Sequence, residues 1–104
     1  DDKSLNKDNY ILDHVFITNE EKELADKLDA SLNKERIERH MQFVLDKMDL
    51  PMRTVFELFA NEGFTAKEIS NIRDTTLAEV EKVLVTARKI LRNSFEKRFL
   101  IGTN

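Results

Sequence analysis

The side chains with the clearest chemical potential in this 104-residue chain lie between residues 65 and 89, where lysine and arginine recur among threonines. Ammonium and guanidinium groups bind phosphates, which gives affinity without sequence reading, whereas hydroxyl and carboxylate groups can read base edges. The candidates for groove contacts are Thr75, Thr76, Ala78, Glu79 and Lys82, and the candidates for phosphate contacts are Lys67, Arg73, Arg88 and Lys89. Thr65 is a further DNA-binding candidate.

For catalysis the sequence offers little. The two histidines, His14 and His40, have no convincing partners, and we expect His40 on a polar helix face. Glu35 lies four residues before Arg39, a spacing typical of helix-surface ion pairs rather than of an acid–base pair. The chain has no cysteine, no glycine-rich phosphate loop and no histidine–carboxylate cluster with metal-ligand spacing. We therefore expect a protein that is not an enzyme and that uses no metal and no cofactor.

Two capping boxes define the helices that carry the candidate contacts. Thr65 is followed by Glu68, and Thr76 by Glu79, so a hydroxyl and a glutamate can satisfy the first N–H groups of each helix. The spacing leaves room for about two helical turns and three or four linking residues. Two short-linked helices, the second longer, predict a helix-turn-helix, a unit that can place one helix end in the DNA major groove. In this interpretation Thr65, Thr76 and Glu79 cap first and contact DNA second.

Composition and charge distribution agree with a helical protein. Two glycines, one proline and 36% charged residues indicate amphipathic helices rather than a β-rich or loop-rich design. The net charge of −3 is not typical of a nucleic-acid binder, yet residues 1–49 carry −5 and residues 50–104 carry +2. Six bases and one acid lie between Lys82 and Arg98. A solvated helix face is the alternative explanation of this basic segment.

Further helix starts and stops are visible in the first half of the chain. Thr18 opens a third capping box and a helix over about residues 19–32. The apolar spacing then shifts, which favours a separate helix over about residues 34–48, capped by Ser31 or Asn33.

The second half is punctuated by proline and glycine. Asp49 and Pro51 indicate a helix start, and Gly63 is expected to end that helix in a left-handed conformation. In the motif, the first helix should turn Ile69 and Ile72 inward. The second should run to about Phe95 and turn Leu77, Val80, Leu84, Ala87 and Leu91 inward.

The two ends of the chain are less defined. Residues 1–8 are expected to be flexible, and residues 10–17 fit either a short helix or an extended segment on the core. The end of the chain is either a final packed turn or an exposed apolar end, formed by Phe95, Phe99, Leu100 and Ile101. We predict an all-α fold, a small helical bundle of about five helices containing a helix-turn-helix.

Three segments together resemble one known family. They are Val55-Phe56 with Glu62-Gly63, Phe64-Thr65 with Glu68-Ile69-Ser70, and Val80 and Leu84 with Ala87-Arg88-Lys89-Ile90-Leu91. The combination resembles region 4, the C-terminal region of bacterial RNA polymerase sigma factors, and most closely the extracytoplasmic-function class. The resemblance covers about residues 37–95, over half of the chain.

The resemblance implies a transcription-initiation domain that binds the promoter −35 element through its second motif helix. It also implies contact with core RNA polymerase at the β-flap and an anti-sigma factor as a further partner. Because no apolar run approaches the roughly 18 residues of a membrane span, we expect no membrane partner. Residues 1–32 would be an acidic N-terminal segment or linker with one helix, and residues 33–104 the region 4-like domain. The chain begins without methionine, and we expect it to be a fragment of a longer protein that works in the cytoplasm.

Several residues depart from the family pattern. Leu50-Pro51 stands closer to Val55 than is usual, and Asp74 replaces the turn glycine. Glu81 and Val83 stand where the family often has lysine and arginine. Each carboxylate near phosphates would weaken binding by roughly 1 kcal/mol, although a glutamate can also accept from cytosine N4.

Two alternatives stay open. One is the DNA-binding domain of a LuxR-type transcriptional regulator, which shares the Glu-Gly and Glu-Ile spacing. The other is a protein-interaction module that keeps the helices as a scaffold and has lost DNA binding, which the acidic Glu79 and Glu81 would suit.

Overall fold

A computed structural model describes residues 10–101, with side chains from residue 12 to residue 100. The described residues form α-helices and no β-strand, which confirms the all-α prediction. A single turn, α1, precedes five longer helices. The helices are α1 (Tyr10–Asp13), α2 (Asn19–Ser31), α3 (Lys34–Lys47), α4 (Leu50–Ala60), α5 (Ala66–Ile72) and α6 (Leu77–Phe95), and a π-helical segment (Glu96–Ile101) follows.

Local capping explains most helix starts. Thr18 and Thr65 form complete capping boxes with their glutamates, and the Asn33 side chain accepts from the N–H of Arg36, so Asn33 rather than Ser31 caps α3. Asp49 occupies the cap position of α4 but makes no side-chain cap bond there. Since Pro51 lacks an N–H and lies in the first turn, α4 has one donor fewer to satisfy.

α6 runs through the centre of the bundle and contacts α3, α4 and α5. The inward face of α6 belongs to one continuous core to which every other helix contributes. Residues 12–32 therefore share a core with residues 33–100. The buried side chains of α6 are Val80, Leu84, Ala87, Leu91 and Phe95. The division at residue 32 stays a prediction.

Residues 10–17, the N-terminal segment, begin with the short helix α1 and continue as a turn, in which the N–H groups of Val15 and Phe16 donate to the Leu12 carbonyl. After α1, Val15 and Phe16 are fully buried, and the Phe16 ring meets that of Phe95 edge-on at 6.3 Å. At the other end, Phe99 and Leu100 pack partly buried against the core, so this part is a packed turn. The prediction of flexibility for residues 1–8, and the side chain of Ile101, lie outside the described residues.

One ionic contact ties the N-terminal segment to α6. A Glu21 carboxylate oxygen accepts from the backbone N–H groups of Ile17 and Thr18, at 2.8 and 3.1 Å. Its other oxygen lies 3.3 Å from Nε of Arg92. Nη1 of Arg92 donates to the carbonyl of Val15 at 3.1 Å. We call this set of contacts the Glu21–Arg92 clasp.

The predictions for Ile72, for Leu77 and for one ion pair are wrong. Ile72 and Leu77 were expected to face inward but are exposed, because each lies at a helix end bordering the α5–α6 turn, beyond the packed stretch. The expected Glu35–Arg39 ion pair is absent from the contacts within 4.0 Å among the described residues.

Candidate nucleic-acid interface

The connection between α5 and α6 is a compact turn of four residues, Arg73–Thr76. The N–H of Arg73 donates to the Ile69 carbonyl at 2.8 Å, and that of Thr75 donates to the Ser70 carbonyl at 2.9 Å. Asp74, which stands where the family has a turn glycine, has φ +57°, the left-handed conformation that glycine adopts most freely. A four-residue turn therefore redirects the chain from a seven-residue helix into a nineteen-residue one.

Only one of the two hydrogen bonds of the predicted capping box is formed at the start of α6. The Thr76 hydroxyl accepts from the N–H of Glu79 at 3.1 Å. The returning bond from the Thr76 N–H to the Glu79 carboxylate, which would complete the predicted box, is not formed. Among the described residues the Glu79 carboxylate has no hydrogen-bond or ion-pair partner, so it remains available to a ligand at the surface.

Burial of one face of α6 determines which side chains face outward. Because residues three and four apart share a helix face, the side opposite the buried stripe carries Ala78, Lys82, Val85 and Lys89, all of them exposed. Lys82 and Lys89 are seven residues apart, about 10.5 Å along the helix. We call this set the outer face of α6.

The remaining candidates flank this surface. Thr65, Lys67, Arg73, Thr75, Thr76 and Glu79 are all exposed, in α5, in the turn or in the first turn of α6. Beside the turn lies a shallow hollow of about 250 Å³, whose lining includes Arg73, Thr75 and Glu79. A base, a hydroxyl and a carboxylate therefore converge there.

Arg88 is placed differently from the other bases. It is half-buried, and burial lowers the pKa of its guanidinium, Arg92 lowers it further and Glu21 raises it. Lys89, the next residue, is exposed on the outer face. Lys89 is therefore better placed than Arg88 for contact with a phosphate.

His40 is not on a polar helix face, contrary to the sequence-based expectation. It is only 7% exposed, and its Nε2 lies 2.8 Å from the hydroxyl of Ser94. Burial lowers the pKa of His40, and the positive charge of Arg98 lowers it further. The partners Ser94 and Arg98 are more than fifty residues away in sequence, so no local pattern indicated this environment.

Around His40 lies a second group of polar and aromatic residues, in α3 and the π-helical segment, that the sequence analysis did not single out. A signal existed, because Arg36, Arg39, Phe43 and Lys47 recur every three or four residues on one flank of α3. His14 lies elsewhere, half-buried against the Phe59 ring at 5.3 Å, and burial lowers its pKa too.

Within residues 10–101 there is no group of three or more histidine, aspartate or glutamate side chains that could hold a metal ion. No helix in that range combines the length and apolarity needed to cross a bilayer. The chain matches no protein-family model, and no curated protein or solved structure matches it. Function must therefore be argued from the chain's own residues and their geometry.

Proposed function

We propose that this chain is a DNA-binding domain of the sigma-factor region 4 type, which reads a promoter −35 element with the outer face of α6. One observation carries the proposal. The outer face of α6 is exposed, and α6 follows a short helix, α5, after a turn of only four residues. In helix-turn-helix proteins the second helix enters the major groove and its N-terminal residues meet base edges. Ala78, Glu79 and Lys82 occupy those positions here.

The mixed charges near the outer face of α6 favour sequence-specific DNA contacts over high affinity for DNA. Lys67, Arg73 and Lys89 are exposed bases for phosphates, whereas Glu79 and Glu81 are exposed acids on the same stretch. Three phosphate contacts predict about a 40-fold loss of affinity between 50 and 200 mM salt. With so few contacts, we expect the domain to need core RNA polymerase for tight promoter binding in the cytoplasm.

Glu79 is the residue we assign to sequence reading. Its carboxylate is not used by the helix cap, and a carboxylate can accept from cytosine N4 in the major groove. Glu79→Gln would replace that acceptor by an amide suited to adenine.

An apolar groove supports a contact with the polymerase β-flap. The groove encloses about 340 Å³ between α3, α4 and α6, and Phe43, Met48, Met52 and Ile90 line it. Phe43 is 55% exposed and Ile90 is 39% exposed. Exposed apolar side chains grouped in this way are typical of protein-interaction sites. An anti-sigma factor would compete for the same surface.

The same groove favours the second candidate, a protein-interaction module without DNA binding. A LuxR-type DNA-binding domain would also read DNA with the outer face of α6, but it would not bind the polymerase β-flap. Replacing Lys82 and Lys89, the two exposed lysines of the outer face, separates the classes, since a DNA reader loses its binding and an interaction module keeps its protein partner.

The test is selection from a pool of random duplexes with the full chain, alone and with core RNA polymerase, at 50 and 200 mM salt. We expect one short motif to be enriched, Lys82→Ala to lose it, and Glu79→Gln to change the preferred base at one position. Lys27→Ala, an exposed lysine on α2, is the matched control and should leave enrichment unchanged.

Failure to enrich any motif, with polymerase present, would refute DNA reading. A pull-down with the polymerase β-flap then tests the groove. Ile90→Ser should abolish flap capture, whereas Val85→Ser, an equally small change on the outer face, should not. Capture without enrichment would support the interaction module, and enrichment without capture would support the LuxR-type alternative.

A further inference from the structure

A cleft at the far end of α6 carries three arginines and two phenylalanines. It encloses about 330 Å³, within the range of small-molecule sites. Its lining comes from α3 and from the π-helical segment, and consists of Arg36, Arg39, His40, Phe43, Arg98 and Phe99. We call it the arginine–phenylalanine cleft. Since α6 spans 19 residues, or about 28 Å, the cleft is well separated from the turn between α5 and α6.

The arginines of this cleft, Arg36, Arg39 and Arg98, have no ion-pair partner among the described residues. The guanidinium carbons of Arg36 and Arg98 both lie over the Phe99 ring, 5.5 and 5.7 Å from its centre. Like charges gathered around one ring repel each other, so an anion between them would be favoured.

The aromatic side chains give the cleft firm walls. The His40 ring stacks on Phe43 at 5.9 Å and 24°, and meets Phe99 edge-on at 5.1 Å. Buried Phe95 holds His40 from the core side at 4.7 Å. Phe43, by contrast, is 55% exposed, so part of its surface is available to another ring.

A π-helical segment supplies the second wall. Residues 96–101 take the wider π geometry directly after α6, and such segments occur often at functional sites. This segment brings Arg98 and Phe99 opposite α3, where Arg36 and Phe43 lie.

We propose that the arginine–phenylalanine cleft binds a nucleoside polyphosphate. Guanidinium groups match phosphate oxygens with paired hydrogen bonds, and the exposed part of Phe43 offers a stacking surface for the base. The volume of about 330 Å³ is that of a small-molecule site. The proposal does not depend on DNA binding by α6, because no residue of the cleft belongs to α5, the turn or the outer face.

The experiment is calorimetric titration of the full chain with ATP, with tripolyphosphate and with adenosine, at 50 mM salt. We expect ATP to bind more tightly than either tripolyphosphate or adenosine, since only ATP meets both the arginines and the ring. Proton NMR of the His40 ring should show shifts that saturate with ATP.

Two exposed arginines serve as variants. Arg39→Gln and Arg98→Gln should each weaken ATP binding about tenfold, the loss expected for a hydrogen bond to a charged group. Arg73→Gln, an exposed arginine in the α5–α6 turn, is the matched control and should bind ATP as the parent chain does.

Three outcomes would overturn the proposal. The first is no binding of ATP. The second is equal binding of ATP and tripolyphosphate, or an equal loss in Arg73→Gln, because either would mean nonspecific attraction of anions. The third is displacement of ATP by a lower concentration of an acidic, phenylalanine-containing hexapeptide, which would make the cleft a peptide site. Selection of DNA by the same variants reports separately on α6.

Discussion

Removing Glu21 should destabilise the whole bundle, although this residue lies at the surface end of α2. In Glu21→Ala, the N–H groups of Ile17 and Thr18 lose their acceptor and Arg92 loses its ionic partner. The loss of a capping interaction costs about 0.5–2 kcal/mol, and the partly buried ion pair adds about 1 kcal/mol. We expect a total loss of about 1.5–3 kcal/mol. Small domains are stabilised by about 5–15 kcal/mol, so this is a large fraction.

The assay is urea unfolding followed by circular dichroism at pH 7. Glu21→Gln keeps an oxygen that can accept the two N–H bonds and loses only the charge, so it should cost about 1 kcal/mol. In combination with Arg92→Met, Glu21→Ala should show a coupling free energy of about 1 kcal/mol, because the two side chains are in contact.

Glu20→Ala, the exposed neighbour in the same helical turn, is the matched control and should change the free energy of unfolding by less than about 0.5 kcal/mol. The account of the Glu21–Arg92 clasp would be refuted if Glu21→Ala behaved like Glu20→Ala. It would also be refuted if the effects of the Glu21 and Arg92 variants simply added.

Three further predictions follow from the same geometry. The pKa of Glu21 in the folded chain is lowered from 4.5, chiefly by the hydrogen bond from the Ile17 N–H. The stabilisation by the Glu21 carboxylate is therefore complete above about pH 4.5 and is lost as the pH falls through the folded-state pKa. Unfolding between pH 3 and 6 should show a flatter profile for Glu21→Gln, and an unchanged profile would contradict the assignment. Asp74→Gly should stabilise the chain by about 0.5–1 kcal/mol, because glycine adopts φ +57° without a steric cost, whereas Asp74→Ala should destabilise it; thermal unfolding of both tests this, and equal midpoints would contradict it. Thr65→Ala should cost about 1–2 kcal/mol and Thr76→Ala less, since only the Thr65 box is complete; urea midpoints in the reverse order would contradict the cap assignments.

The fold could be predicted where its signals are local. Thr18, Thr65 and Asn33 act within one helical turn of their own positions, so the sequence alone places the helix starts. Asp74 likewise adopts the left-handed conformation that its place in a tight turn requires. The apolar spacing of α6 predicted four of its five buried side chains. It wrongly included Leu77 at the helix end, and it left open whether the fifth, Phe95, packs.

The site was less predictable because its properties depend on long-range contacts. His40 is buried by residues more than fifty positions away, and the half-buried Arg88 has a pKa that depends in part on Glu21, which is far away in sequence. Glu79 was expected to complete the capping box, but its carboxylate does not accept from the Thr76 N–H. Whether that bond forms depends on the side-chain rotamer of Glu79, which the spacing of the two residues does not determine. Whether the outer face of α6 reads DNA stays a prediction.

The Glu21–Arg92 clasp also has a consequence for synthesis of the chain. The Val15 carbonyl and Arg92 are 77 positions apart, and the partner of the Phe16 ring, Phe95, is likewise made late in synthesis. At about 5–20 residues per second, a ribosome needs about 4–15 s to make the partners of this segment. During that interval Val15 and Phe16 have no α6 to pack on, so the nascent chain presents an apolar segment that chaperones can bind before the bundle closes.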